Sequence, residues 1–506
     1  MDTAVVGLDG GIGDAQLWLV PVVQDIGLGE IAAVIDRIAP GALAQLVDAA
    51  VVRRLGGRDV IGIPHPGGDP LRLVLVGLGR GGQVDGYLLR NLVELGLRGS
   101  RVSRAAILLD RSTLGALRAT RELGAAATIR LALEGAVRAC GAWGRPGEGD
   151  TARCERIVVA TDAIGPDARA EVAADARLLG ETASRVRAWQ WAPANQLTPA
   201  RFADEAVRLG SAAGLEVTVL DQAALRRDGY GGILGVAQGS AEPPRLVLLR
   251  HRGRGAGPVL GLVGKGVTFD AGGMALKPQK DLHLMKTDMS AAAAVLGALL
   301  VTAAWRPAID VVGVLPLAEN VLGTGSLHPG DVITLAGGID VEVINPDAEG
   351  RLLLGDGLVH ARRAGATHLV SVGTLTDAVS VAQGPTVSGM VGEDAAFLGR
   401  VEAAAQRAGE RLLALTMYPE YDRVLDSDVA SVCNEADDLH EEPVAAAIFL
   451  RRFVGGTPWA HLDIGGSSSN EHENLYQVVP RGPSAVATGT LAELAREMAA
   501  GVSGAP

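Results

Sequence analysis

Hard-ligand residues crowd into three short stretches of this 506-residue sequence. The first, GKGVTFDAGG at 264–273, carries Lys265 and Asp270 among glycines that let backbone approach a ligand closely. The second, MKTDM at 285–289, places Asp288 just ahead of an apolar run, and the third, NPDAEGR at 345–351, holds Asp347 and Glu349 two apart with Arg351 close behind. Taken singly, an Asp on a glycine loop is more often a turn residue than a ligand. Four carboxylates converging on one pocket are different: like charges raise each other's pKa, so they cannot all stay ionised without compensation. Two divalent cations resolve that conflict, and oxygen ligands suit Zn, Mn or Mg.

The lysines sharpen the case. Of 46 basic residues only Lys265, Lys277, Lys280 and Lys286 are Lys, and everywhere else the chain uses Arg. Arg is charged at every accessible pH, whereas a buried Lys can lose its proton and offer a lone pair to a cation. Chance clustering is the plain alternative.

The elements that must position these groups read as α/β. In the front half, Leu71–Leu78, Ala105–Leu109 and Ile157–Thr161 read as short buried strands, and Ile31–Leu55 and Leu131–Ala142 as helices. A turn-rich loop spans 144–150, and a long helix runs Ala168–Trp189. In the back half, strands are expected at Glu216–Leu220, Arg245–Leu249, Val259–Val263, Ala308–Val314, His368–Val372 and His461–Ile464. Helices are expected at Ser290–Ala304, Arg351–Ala364 and Val444–Phe453. The expected organisation is a small N-terminal α/β domain over 1–165, a linker helix over 166–192, and a larger catalytic domain over 193–506. That larger domain is an α/β sandwich with a mixed central sheet, its functional groups gathered on loops at strand ends.

Composition excludes several classes. A content of 48% hydrophobic and 21% charged residues describes a soluble globular chain, and aromatics at 3% leave the core to Ala, Val and Leu. No opening segment reads as an export signal, because Asp2 and Asp9 flank the first apolar stretch. The uncharged run Met289–Trp305 is short for a membrane span. Cys140, Cys154 and Cys433 form an odd set without metal spacing, which suits a reducing cytoplasm. A net charge of −12 argues against nucleic acid as a main partner. Residues 1–190 carry 22 acidic and 22 basic side chains, so the acidic excess lies in the back half, consistent with cation binding or with a solvated acidic surface. The glycine-rich GLGRGG at 77–82 lacks the ending of a phosphate loop.

On these segments the chain resembles the leucyl aminopeptidase family, the cytosolic M17 metallopeptidases. The family's VGKGxTFDxGG appears at 263–273 and its DAEGR core at 347–351. PANQLTP at 193–199, TLT at 374–376 and WAHLDIGG at 459–466 match further family segments in order. The resemblance implies a cytoplasmic two-metal aminopeptidase that releases N-terminal residues from peptides, with no membrane partner. Lys265, Asp270, Asp288 and Glu349 would bind one Zn or Mn ion, and Asp270, Asp347 and Glu349 the other, with Mg also possible. A bridging water would attack the scissile carbonyl, Lys277 would polarise that carbonyl, and Arg351 would hold a bicarbonate acting as base. Met285, Ala348, Thr374, Leu375 and Asp377 would line the substrate site. The family assembles as a homohexamer.

The chain departs from the family at Pro346 (Thr in the family), at Ser290 and Ala291 (both Gly), and at Asp377 (Gly). Proline removes a backbone N–H and biases Asn345 toward an extended conformation. If either lost glycine held a positive φ, the pocket would narrow. Asp377 would shift preference toward basic or small first residues. Three changes near the substrate site suggest a specialised peptidase, acting on dipeptides or on one biosynthetic intermediate. A non-catalytic hexameric DNA-binding scaffold and a different two-metal hydrolase such as a phosphoesterase are the rivals, though the latter's sites usually draw on His and none of the nine His falls in the three ligand segments.

Overall fold

A computed structural model describes residues 1–8, 12, 14–24, 26–28, 30–38, 58–63, 71–98, 100, 102–141, 154–253, 257–436, 442–470, 478 and 480–503. The chain divides into two compact units. One comprises Met1–Arg185 with Gln406–Gly409 and Glu471–Gly482; the other comprises Val186–Ala405 with Glu410–Asn470 and Pro483–Pro506. The division after Arg185 falls inside a single helix, Pro166–Trp191.

The first unit holds a six-stranded sheet of β1 (Asp2–Val6), β2 (Leu17–Val23), β3 (Arg58–Ile63), β4 (Leu71–Gly79), β5 (Arg104–Leu108) and β6 (Arg156–Ala160). Their order is β1-β6-β5-β2-β4-β3, parallel except for β3. Strands such as Leu17–Val23 are apolar throughout because both faces of a parallel sheet are covered. The helical pattern from Ile31 yields a helix over Ile31–Ile38; residues 39–55 of that expectation, and the loop at 144–150, lie outside the described residues.

Helices Gly86–Leu97 and Ala125–Cys140 bury a group of charges here. Glu134 faces Arg90 and Arg138 at 3.5 Å each and Arg130 at 3.8 Å, while Arg138 reaches Glu94 at 3.2 Å. Arg90 and Arg130 also donate to the carbonyls of Ala408 (2.6 Å) and Arg407 (2.5 Å).

The second unit is built on a nine-stranded mixed sheet: β7 (Glu216–Leu220), β8 (Arg245–His251), β9 (Val259–Gly264), β10 (Gly266–Asp270), β11 (Asp310–Asn320), β14 (His368–Gly373), β15 (Ser388–Gly392), β16 (Leu412–Leu415) and β18 (Trp459–Asp463). A small sheet of β12 (Asp331–Leu335), β13 (Ile339–Val343) and β17 (Val432–Cys433) stands apart from it. The main order is β16-β15-β18-β14-β9-β11-β8-β7, with β10 added alongside β11. Strands β18, β14, β9, β11 and β10 run parallel, so their C-terminal ends open at one edge, where α/β sheets bind ligands.

The expected strands and helices of this half are present, with β11 extended well beyond Val314. The helix Ser290–Trp305 is buried over nearly its whole length. The stretch Leu282–Trp305 is long and apolar enough to cross a membrane, but 94% of its apolar window is buried inside the protein, as in a core helix. Ser290 and Ala291 take ordinary helical φ, so neither lost glycine served a positive φ in this chain. The glycine that matters is opposite: a Cβ on Gly264 would lie 2.5 Å from the carbonyl oxygen of Ala291, so only glycine lets this helix seat on β9.

Candidate active site

The three ligand segments meet where the parallel strands end. Lys265 links β9 to β10, Asp270 ends β10, and Asp288 precedes the buried helix. Asp347 and Glu349 lie on the loop before the helix Gly350–Arg363, whose first turn carries Arg351. Lys265 Nζ lies 2.8 Å from Asp288 and 2.7 Å from Glu349; Lys277 Nζ lies 2.7 Å from Asp270 and 2.5 Å from Asp347. Thr374, just past β14, donates its hydroxyl to Asp288 Oδ1 (2.6 Å), and its carbonyl accepts from Lys265 (3.0 Å).

Electrostatically the cluster is unbalanced: two ammonium groups face four carboxylates. Burial, and then the neighbouring Asp270 charge, push Glu349 well above the usual carboxylate range and Asp347 up to about 6; Asp288 is raised mainly by burial. Burial works against charge on both lysines. The surrounding carboxylates outweigh it and hold Lys265 and Lys277 above the ordinary lysine value. The lysines thus do part of the compensating that the sequence reading assigns to cations.

The donor set fits divalent metal. Ligand atoms of Asp270, Asp347 and Glu349 lie within 4.8 Å of one another. Asp288 Oδ2, Asp347 Oδ1 and Glu349 Oε1 are buried without a hydrogen bond of good geometry, each beside a lysine ammonium. Hard anionic oxygens in that state are what Zn, Mn or Mg would satisfy.

Of the remaining expected residues, Arg351 is fully buried and donates to the carbonyl of Asn434 (2.7 Å). Burial lowers its pKa, though a guanidinium stays charged at any working pH. Met285 sits on the short 3₁₀ turn Leu282–Thr287, its carbonyl accepting from Asp288 N. Ala348 is buried, and its carbonyl accepts from Asn434 Nδ2 (3.3 Å). Leu375 is half-buried beside Thr374, whereas Asp377 is exposed ahead of the helix Ala378–Gln383 and is not part of the contacts that tie the cluster. Lys286 stacks over Trp191 at 4.2 Å, which accounts for one of the two lysines without a chemical role; Lys280 is exposed.

Pro346 is accommodated locally. Asn345 Oδ1 accepts from Asp347 N (2.8 Å), a side-chain turn in which proline needs no N–H of its own.

Three supporting residues escape sequence reasoning. Asn320, ending β11, donates to Asp270 Oδ1 (2.9 Å) and to the carbonyl of Pro346 (3.0 Å), with Glu349 at 3.5 Å. Asn434 grips the Asn345–Ala348 loop from the small sheet. Asp463, ending β18, accepts from the Thr376 hydroxyl (2.8 Å), Gly465 N (3.1 Å), and Leu375 N and Thr376 N (3.4 Å each). A polar residue closing a long apolar strand is the one signal the sequence carries for Asn320 and Asp463.

The comparisons with known proteins identify the family. A model of the cytosol aminopeptidase family, catalytic domain, matches residues 184–492. A probable cytosol aminopeptidase of Solibacter usitatus is 39% identical over 85% of this chain and 88% of its own length. One of Geobacter sulfurreducens is 37% identical over 91% and 92%. Among solved structures, the bottromycin maturation enzyme BotP in complex with Mn aligns with a TM-score of 0.80 at 32% identity, covering 96% of this chain and 100% of that one. The chain therefore belongs to the cytosol aminopeptidase family of metal-dependent peptide hydrolases, and it is a metallo-exopeptidase.

Proposed function

We propose that the chain hydrolyses the first peptide bond of peptides with a free N-terminus, using two divalent cations held by Lys265, Asp270, Asp288, Asp347 and Glu349. The observation that carries this reading is the buried excess of carboxylates at the ends of parallel strands, three of their oxygens lacking a good hydrogen bond. Bound there, Zn or Mn would supply Lewis-acid polarisation and a water acidified toward neutral pH. In the reaction water adds across the C–N bond, its oxygen going to the acyl carbon and a proton to the leaving amine.

The chain's own residues have distinct tasks. Lys277 is half-buried and protonated on a loop at the cluster's rim, available to donate to a developing oxyanion. Arg351, fixed by the Asn434 carbonyl, is the cation for a bicarbonate that relays the proton. Met285, Ala348, Thr374, Leu375 and Asp377 shape the pocket for the first side chain. A homohexamer acting in the cytoplasm completes the reading.

The structural likeness to a maturation enzyme over nearly the whole chain, together with Asp377 where the resembled family carries glycine, favours a second version of the same chemistry. In it the substrate is one dedicated peptide intermediate rather than bulk peptide. The test is turnover of an aminoacyl-amide panel (Leu, Met, Arg, Lys, Gly, Cys-Gly) with added Mn or Zn, beside Lys277→Ala and Glu349→Ala. Metal-dependent turnover that falls at least ~10³-fold in both variants is expected, the scale of losing an oxyanion donor or a ligand. Wild-type turnover surviving in either variant would overturn the assignment. Two metals per chain without turnover of any amide would direct the search to the dedicated substrate.

A further inference from the structure

Asp463 has no part in the chemistry described so far, yet it is a fully buried carboxylate 2% exposed at the end of β18. Register explains how it reaches the site. Gly373 on β14 pairs with Asp463, so the chain leaving β14 at Thr374 passes directly over its carboxylate. Oδ1 accepts from Leu375 N, Thr376 N and Gly465 N, and Oδ2 accepts from the Thr376 hydroxyl. The fit is close enough that a Cβ on Gly465 would lie 1.9 Å from the Thr376 carbonyl oxygen. One residue upstream, Thr374 touches Asp288 through its hydroxyl and Lys265 through its carbonyl. One carboxylate thus fixes two consecutive residues, Leu375 and Thr376, of a loop that has no strand or helix of its own to hold it.

We propose that Asp463 is a positioning residue: its carboxylate locks the Thr374–Thr376 segment in register with Asp288 and Lys265, and so sets the pocket for the substrate's first side chain. This rests on the aminopeptidase reading above for what the pocket receives, but not for the lock itself. The chemistry also distinguishes lock from charge. An amide at 463 keeps its oxygen for the three backbone N–H groups, and its NH₂ meets a hydroxyl that can turn round and accept. Asparagine therefore preserves the lock, and alanine abolishes it.

The experiment compares wild type, Asp463→Asn, Asp463→Ala and Thr376→Val as full-length Mn-loaded proteins. Hydrogen exchange of the 374–377 amides is measured alongside Mn content and KM and kcat on Leu- and Gly-amide. Expected are faster exchange in Asp463→Ala, unchanged Mn per chain, and a rise of about 10- to 100-fold in KM for Leu-amide, the scale of a small misplacement of a binding group. The preference for Leu over Gly should fall with it. Asp463→Asn should stay within about threefold of wild type, and Thr376→Val, which removes only the hydroxyl donor, should fall between. If Asp463→Ala does not fold, Thr376→Val and Asp463→Asn carry the test through their KM and exchange. Wild-type exchange and KM in every variant that folds overturns the proposal, as does loss of Mn in step with activity, which would make Asp463 a support of the metal ligands instead. An inactive wild type refutes the aminopeptidase reading alone, because exchange still reports the lock.

Discussion

In the first unit, three arginines and two glutamates are buried between two helices; in the second, two lysines and four acids are buried at the ends of parallel strands. The arginine group carries no surplus of acid: three guanidinium groups stand against two carboxylates. Each guanidinium has several donors in a fixed fork, and those of Arg90 and Arg130 reach a carboxylate and a backbone carbonyl at once. The lysine group does carry such a surplus, two ammonium groups against four carboxylates. Its ammonium groups are compact point charges, and carboxylate oxygens beside them remain without a good hydrogen bond. A buried ionic cluster without surplus acid is architecture, whereas one left with surplus acid has room for a cation.

The strongest way to break the comparison is to put the wrong cation in the second cluster. Lys265→Arg keeps the charge but adds bulk and a proton that cannot leave. Activity is expected to fall at least ~10³-fold, about 4 kcal/mol of transition-state stabilisation, with reduced metal content per chain by elemental analysis. Activity within tenfold of wild type would show that a lysine amine is not needed there. The complementary change is Glu134→Ala, which leaves Arg90, Arg130 and Arg138 with Glu94 as their remaining carboxylate in the described contacts. A loss of about 3–5 kcal/mol in unfolding free energy is expected, as for one partner removed from a buried pair. Turnover per folded molecule should hold within about twofold. A denaturant midpoint equal to wild type would show that Glu134 contributes nothing to holding the arginine cluster.

The two clusters were unequally legible in the sequence, for a physical reason. Lys265, Asp270, Asp288, Asp347 and Glu349 stand in short motifs whose glycines and charges are anomalous locally, so the segments announce themselves. The arginine cluster does not, because Arg and Glu four apart on a helix usually mean a solvated face, and only the packing of a second helix buries them. Asn320 was hidden because the expected strand stops at Val314, six residues short of it. In the fold Pro316 sits within β11 opposite Leu246, and the strand continues four residues to Asn320. Asp463 was visible inside WAHLD, but its partners at 375 and 376 lie nearly ninety residues away, and only strand pairing joins them. Local chemistry is readable from a chain; closure between distant segments is not.

A smaller effect separates the clusters by pH. The second unit also buries His461, whose Nδ1 meets Ser371 (3.0 Å), the hydroxyl that in turn accepts from Trp459 Nε1 (2.9 Å). Burial, and then the Arg351 charge, push its pKa down to about 3. In the unfolded chain an imidazole protonates near 6.5, so unfolding takes up a proton between about pH 6.5 and 3. The neutral ring's contribution is present above that window and lost as pH falls through it, at about 1.4 kcal/mol per pH unit. Asp463, raised to about 6, and Asp356, raised to about 7, both mainly by burial, act with the opposite sign. They bind protons in the fold before the unfolded chain does, and stabilise it as pH falls toward 4. Wild-type stability alone therefore mixes the two, and the informative quantity is the difference between wild type and His461→Gln. That gap should narrow by about 2 kcal/mol between pH 7.5 and pH 5.0, read from denaturant unfolding of both proteins at each pH. A gap that holds constant would mean that His461 titrates in the fold as it does in water. The arginine cluster, with no imidazole among its members, supplies the control: the gap between wild type and Glu134→Ala should not change sign over the same range.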